Sequence, residues 1–181
     1  MARLILPGWH GSGPKHWQRL WLAHDPQARI VEQGDWAHPD RDAWLARLAA
    51  ALAEETEPAT LVAHSLGTAL VAHYAARFPT DRIGAALLVA PGDADIHVAD
   101  SPELTTWAPV PRERLPFPSI LVVSRNDKLM AYERAVELGS NWGARIVDAG
   151  DAGHINADSG FGEWPLGFRL ADEVERAAGQ T

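Results

Sequence analysis

LVAHSLGTALVAHYA, residues Leu61 to Ala75, carries an apolar strand-like run into one serine and then, with no turn-length gap, into an alanine-rich helix-like run. A hydroxyl at that junction has two readings. Ser65 caps the helix, its side-chain oxygen accepting an orphan N–H of the first turn. Alternatively, Ser65 is a nucleophile held on a tight elbow between strand and helix. An elbow of that kind leaves room only for small residues two positions to either side, and Ala63 and Gly67 meet the condition. A-x-S-x-G is thus the G-x-S-x-G pattern with alanine at the first glycine, and the rest of the chain has to decide between the readings.

Outward from this stretch, short apolar runs alternate with helix-length amphipathic ones. Strands are expected at Arg3–Leu6, Ala28–Val31, Thr60–Ala63, Ala85–Ala90, Ser119–Val123 and Ala144–Val147. Helical patterns lie near His16 to Ala23, Asp40 to Ala53, Leu66 to Phe78, Tyr132 to Leu138 and Gly167 to Ala178. In the second of these, Trp44, Leu45, Leu48 and Leu52 recur at the spacing of one buried face. Strands apolar on both faces and joined by helices predict an α/β fold: a three-layer α/β/α sandwich around a mainly parallel sheet of about six strands. The connection from Pro91 to Pro118 holds six prolines and reads as a long irregular excursion, of the kind that forms a lid or binding loop.

The 181 residues, 46% of them hydrophobic and without repeat or low-complexity tract, suit one domain spanning residues 1–181. A chain of this size buries roughly 70% of its unfolded surface. A net charge of −8 offers no basic footprint for phosphates, so nucleic acid and anionic membranes are not expected partners. The absence of cysteine excludes disulfides and thiolate metal sites. The apolar run at Leu4–Leu6 stops at Pro7-Gly8, too short for a signal peptide or membrane span, and a cytoplasmic location is the expectation.

Ligands of open α/β sheets bind beyond the carboxyl ends of the strands. The polar residues there are His10 after the first strand, Ser65 after the third, Asn126, Asp127 and Lys128 after the fifth, and Asp148, Asp151 and His154 after the sixth. Serine, acid and histidine in that chain order are the order of the α/β-hydrolase triad. The types match the chemistry: a serine hydroxyl needs a neutral imidazole to take its proton, and the imidazole needs a carboxylate to hold its tautomer. Position after the fifth strand favours Asp127 as the acid, with Asp148 and Asp151 as alternatives. His64, on the strand before the serine, should point away from it and make a structural hydrogen bond. An oxyanion needs two donors; the backbone N–H of Leu66, at a helix start, is one, and that of Trp9, in the first loop, the other. His10 and His16 belong to no ligand cluster, so no metal and no cofactor are expected.

LPGWHGSGPKHW, Gly34-Asp-Trp36, AHSLG, FPSILVVSRND and GDAGHINADSGFGEWP together resemble the small serine α/β-hydrolases related to retinoblastoma-binding protein nine, especially their bacterial members. The resemblance runs in order over nearly the whole chain. It implies a hydrolase without a large cap domain, with Ser65, Asp127 and His154 as triad. Lys128 stands where these proteins often carry proline, and the Leu-x-Cys-x-Glu motif of the mammalian namesake has no counterpart in a chain without cysteine. No retinoblastoma-type partner follows.

Trp9, Trp36, Trp107 and Trp164 fall after strands, on the ligand edge, and are expected to wall a tight apolar substrate pocket; Trp17, Trp21 and Trp44 fall within helices and read as core. An NAD-dependent oxidoreductase is the rival suggested by Gly8, Gly11, Gly13 and Glu32, but Trp9 and His10 crowd that turn, and Lys15 between Pro14 and His16 fails as a Walker lysine. The sequence therefore predicts a serine hydrolase forming an acyl-enzyme on a small ester, a carboxylesterase. A peptidase or amidase on the same triad, or an inactive protein-binding module on a hydrolase scaffold, are the alternatives.

Overall fold

The strands owe their position to a strict alternation. In the computed structural model, which describes residues 1–179, Leu4, Leu6, Leu61, Ala63, Leu88 and Leu121 fall in one buried cluster, while their chain neighbours Ile5, Val62, Leu87, Val89 and Val122 fall in another. Period-2 side-chain alternation in strands apolar on both sides leaves no face for water, so both faces must be covered by helices.

Six strands form the sheet, the inner four buried and the edge strands β2 and β6 partly exposed: β1 (Arg3–Leu6), β2 (Ala28–Ile30), β3 (Ala59–Ser65), β4 (Ile83–Pro91), β5 (Ser119–Val123) and β6 (Arg145–Asp148). They pair in the order β2-β1-β3-β4-β5-β6, every pair parallel. Helices α2 (Arg41–Ala53), α3 (Leu66–Ala75) and α5 (Tyr132–Trp142) bury Trp44, Leu48, Leu70, Leu138 and Trp142 against one face. Helices α1 (Trp17–Trp21) and α6 (Pro165–Ala178) bury Trp17, Trp21, Leu170 and Val174 against the other. The result is a three-layer α/β/α sandwich of the α/β-hydrolase type. Trp17, Trp21 and Trp44 are core, as their helical spacing predicts.

Strands β3 and β4 are longer than the apolar runs alone indicate. Their ladder continues from Ala59↔Ile83 out to Ser65↔Pro91, with a register irregularity between His64 and Ser65. The proline-rich excursion is partly ordered into a one-turn helix, α4 (Ala94–His97), and a 3-10 turn at Pro102–Leu104. The chain leaves β1 for one edge of the sheet and returns to the other side of β1 as β3. That reversal opens a crevice at the carboxyl ends of β1 and β3, where open sheets bind ligands. Gly8 and Ser65 stand at its two sides.

One ion cluster ties the first strand to the last helix. Arg3 donates to Glu175 (2.8 and 2.9 Å), Asp25 (3.1 Å) and Asp172, and its side chain is only 8% exposed. Removing the cation leaves partly buried carboxylates facing one another. Arg3→Ala is expected to cost about 3 kcal/mol in urea unfolding; a loss below about 1 kcal/mol would show that the cluster is not a structural tie.

Candidate active site

Ser65 ends β3 with φ 55° and ψ −124°, and its side chain makes no capping bond to α3. The capping reading of the hydroxyl is thereby excluded. A non-glycine residue in this region stores on the order of 1–3 kcal/mol of strain and persists only where its surroundings dictate it. The surroundings do so by lacking atoms. A Cβ on Gly8 would lie 2.6 Å from the Ser65 Cβ, and one on Gly67 would lie 2.3 Å from the Leu6 carbonyl oxygen. From the helix side, the Thr68 hydroxyl donates to the Ser65 carbonyl at 2.8 Å.

The strained backbone turns Oγ of Ser65 outward, where it lies 2.9 Å from Nε2 of His154. Nδ1 of the same ring donates to Oδ2 of Asp127 at 2.7 Å, and Oδ1 of Asp127 accepts the Leu129 N–H at 2.9 Å. The Asp127 side chain is 2% exposed and that of His154 12%. The other two acids are elsewhere. Asp148 accepts from Arg125 (2.6 and 2.8 Å), Tyr132 and the Gly150 N–H, and the Arg125 bonds pull its carboxyl down to about 2. Asp151 is exposed beside it in a shallow surface depression.

Loop bonds fix the imidazole. Asn126 accepts the Gly153 N–H (2.6 Å), Ser159 Oγ accepts the His154 N–H (3.0 Å), and Nε2 of His64 donates to the His154 carbonyl (2.8 Å). His64 thus makes the structural bond expected of it, and its partner is the loop that carries His154. Burial, followed by the proximity of His154 and His16, lowers the pKa of His64 well below the ordinary imidazole value. Burial and then His154 push His16 down to about 4.

Around Ser65 lies a cleft of about 420 Å³. Trp9 and Leu66 both line it. The N–H groups of His10 and Gly11 are taken by Trp36 and Gly8 carbonyls, whereas that of Trp9 has no partner among the described residues. The Leu66 N–H starts α3, where first-turn donors lack intrahelical partners. The excursion contributes Ala94, His97 and Leu104, and the segment after Asp127 contributes Leu129. These two segments are clamped together: Nε2 of His97 (3.0 Å) and the Asp93 N–H (3.4 Å) both donate to the Leu129 carbonyl, and buried Asp93 pairs with Arg134.

The expected tryptophan wall is not there. Of the four, only Trp9 lines the cleft. Trp107 is fully buried between Trp44 and His73, its indole N–H donating to the Pro39 carbonyl. Trp164 packs against Trp17 and Trp21 on the opposite face of the sheet. Trp36 lies edge-on to Trp44 and beneath Gly11. These three indoles pack against other aromatic rings, and Trp107 also finds a carbonyl acceptor inside the protein. The glycines of the first loop likewise form no phosphate cradle, since Gly8 abuts Ser65 and Glu32 pairs with Arg19. No metal-competent group of three or more His, Asp or Glu side chains occurs among the described residues.

Residues 3–173 match the serine hydrolase family profile. The chain belongs to the serine hydrolase family. Among solved structures it is similar to a protein described as a YdeN-like hydrolase from Pectobacterium atrosepticum, with 29% identity and a TM-score of 0.86 over 98% of this chain and 91% of that one. It also resembles the ydeN gene product of B. subtilis (19%, TM-score 0.78, 96% and 98% covered) and the esterase domain of a Rhodothermus marinus protein (16%, 0.73, 97% and 87%), which at those identities speak for the fold. No curated protein matches the chain significantly. Among the described residues no helix is long and apolar enough to cross a membrane.

The buried imidazoles make stability depend on pH. In the unfolded chain His16 titrates near 6.5, and in the folded protein near 4, so between those values only the unfolded state binds the proton. Stability is therefore lost as pH falls from about 6.5, by about 1.4 kcal/mol per pH unit for each such histidine. His64 acts in the same direction. Urea unfolding at pH 5 should give a stability at least about 2 kcal/mol below that at pH 7, and equal stabilities would contradict the neutral-imidazole assignment.

Proposed function

We propose that this serine hydrolase is a carboxylesterase working through Ser65, His154 and Asp127 and a covalent acyl-enzyme. The observation that carries the reading is the unbroken hydrogen-bond chain from Asp127 through His154 to Ser65 on a strained elbow. In this reading His154 takes the hydroxyl proton as Oγ of Ser65 attacks the ester carbon. The backbone N–H groups of Trp9 and Leu66 hold the oxyanion, a contribution worth on the order of 3 kcal/mol per donor. The alcohol then leaves with the proton from His154, and water, activated by the same ring, releases the acid. Asp127, nearly excluded from solvent, keeps the Nδ1 proton in place and stabilises the imidazolium.

The esterase domain among the similar structures supports an ester substrate, as does a cleft that accommodates a small molecule rather than an extended polymer. The kinship to hydrolases related to retinoblastoma-binding protein nine belongs to the same proposal, without a retinoblastoma-type partner. An inactive binding module has no use for a strained serine bonded to an imidazole.

Ser65→Ala should lower kcat/KM on simple acyl esters by about four to six orders of magnitude while the fold persists by circular dichroism. Retention of a tenth of the activity would contradict the mechanism. Asp127→Asn should cost roughly four orders of magnitude by admitting the wrong tautomer, against less than about tenfold for Asp148→Asn, whose carboxylate is occupied by Arg125. The reverse order would reassign the acid.

A further inference from the structure

The two walls of the cleft differ in chemistry, and the acyl-transfer reading above, on which this inference rests, fixes what each wall meets. When the bond from Ser65 Oγ to the acyl carbon forms, the bond from that carbon to the alcohol oxygen breaks. The proton taken by His154 passes to that oxygen. The alcohol oxygen therefore sits within hydrogen-bond reach of Nε2 of His154, and the rest of the alcohol lies along the wall that carries His154. The acyl chain lies on the other side, against Leu104 and Leu129, where Asp93 is engaged by Arg134 and His97 by the Leu129 carbonyl, with Ser101 alongside.

The His154 wall is polar. The Trp17 indole N–H donates to the Ile155 carbonyl at 2.8 Å, which brings the residues flanking that bond, His16 and Asn156, into the cleft lining. His16 is 7% exposed, and its Nδ1 accepts the Gln18 N–H at 3.2 Å. The neutral ring therefore carries its proton on Nε2, which has no protein partner among the described residues and is not among the sealed polar atoms, so it opens to the cleft. Burial keeps the ring neutral, a donor without a charge. Asn156 is oriented in the same manner. Its Oδ1 accepts both the N–H (3.0 Å) and the Oγ–H (2.8 Å) of Ser159, which leaves its amide N–H groups unspent. Asp158, also lining the cleft, forms no ion pair among the described residues.

Two neutral donors and one acceptor select among leaving groups. An ammonium would face the N–H groups of His16 and Asn156, and a carboxylate would face Asp158 in a protein of net charge −8. A hydroxyl meets all three, accepting from the donors and donating to the carboxylate. We infer that the cleft takes esters of hydroxylated alcohols, with a polyol leaving group bound by His16, Asn156 and Asp158 and the acyl group against Leu104 and Leu129.

The test compares glycerol monobutyrate with ethyl butyrate, which share one acyl group, each kcat/KM being divided by that ester's hydroxide-catalysed rate. The wild-type enzyme should prefer the glycerol ester by at least about tenfold, the worth of two modest hydrogen bonds. His16→Asn keeps a capping acceptor for the Gln18 N–H but does not reach as far as Nε2, and should cut that ratio several-fold. Asp158→Ala, at an exposed position, should cut it as well and serves if His16→Asn folds poorly. A wild-type ratio near one, or a ratio unchanged in the folded variants, overturns the inference, because a purely structural role would lower both esters alike. Turnover of ethyl butyrate without the preference leaves the acyl-transfer reading intact. So does fluorophosphonate labelling without turnover of either ester, which sinks only the choice of substrate. Absence of both labelling and turnover overturns the two together.

Discussion

The site is organised by a backbone conformation that Ser65 would not adopt by itself. Its φ of 55° is tolerable because the chain around it has been emptied of side chains: Gly8 abuts its Cβ, and Gly67 lies against the Leu6 carbonyl. The strain, on the order of 1–3 kcal/mol, is offset by the burial of β1, β3 and β4 on both faces, where a single leucine contributes roughly 1.5–3 kcal/mol. In return the hydroxyl is presented at the topological reversal between β1 and β3 rather than folded back onto α3. A serine in ordinary strand geometry would point into one of the two helical layers.

Asp127, His154 and most of the cleft lining arrive on loops, which are held by bonds between segments remote in the chain. His64 reaches the His154 carbonyl, Trp17 the Ile155 carbonyl and Asn126 the Gly153 N–H. On the other side, Asp93 and His97 fasten the proline-rich excursion to the Leu129 carbonyl, two residues after Asp127. The acid, the imidazole and the cleft wall are thereby positioned against one another, the condition for hydrogen-bond geometry good to a few tenths of an ångström.

The fold was legible in the sequence because fully buried parallel strands are the easiest elements to read: Arg3–Leu6 and Ser119–Val123 appear with the bounds expected of them. The ends of β3 and β4 were not, since their last ladder bonds depend on each other rather than on local hydrophobicity. Helix α4 is four residues long and follows a proline, too short for a periodic signal. Ser65, Asp127 and His154 could be picked out from their places after the third, fifth and sixth strands, and the structure brings those three side chains together. The tryptophans misled for an instructive reason. Position after a strand gives the edge of the sheet but not the direction of the ring, and Trp107 turned inward to the Pro39 carbonyl. The place of His16 and Asn156 in the cleft was invisible, because it depends on a bond between Trp17 and Ile155, far apart in the chain.

The central claim is that Ser65 is the atom-bearing residue of the chemistry and that His154 and Asp127 activate it. Peptide mapping by mass spectrometry, after brief exposure of the native protein to a fluorophosphonate, tests this most directly. The account predicts one adduct per chain, on the peptide bearing Ser65, formed rapidly in the wild type and at least about a thousandfold more slowly in Asp127→Asn. An adduct on another residue, or labelling of Ser65 at the same rate in both proteins, would contradict it.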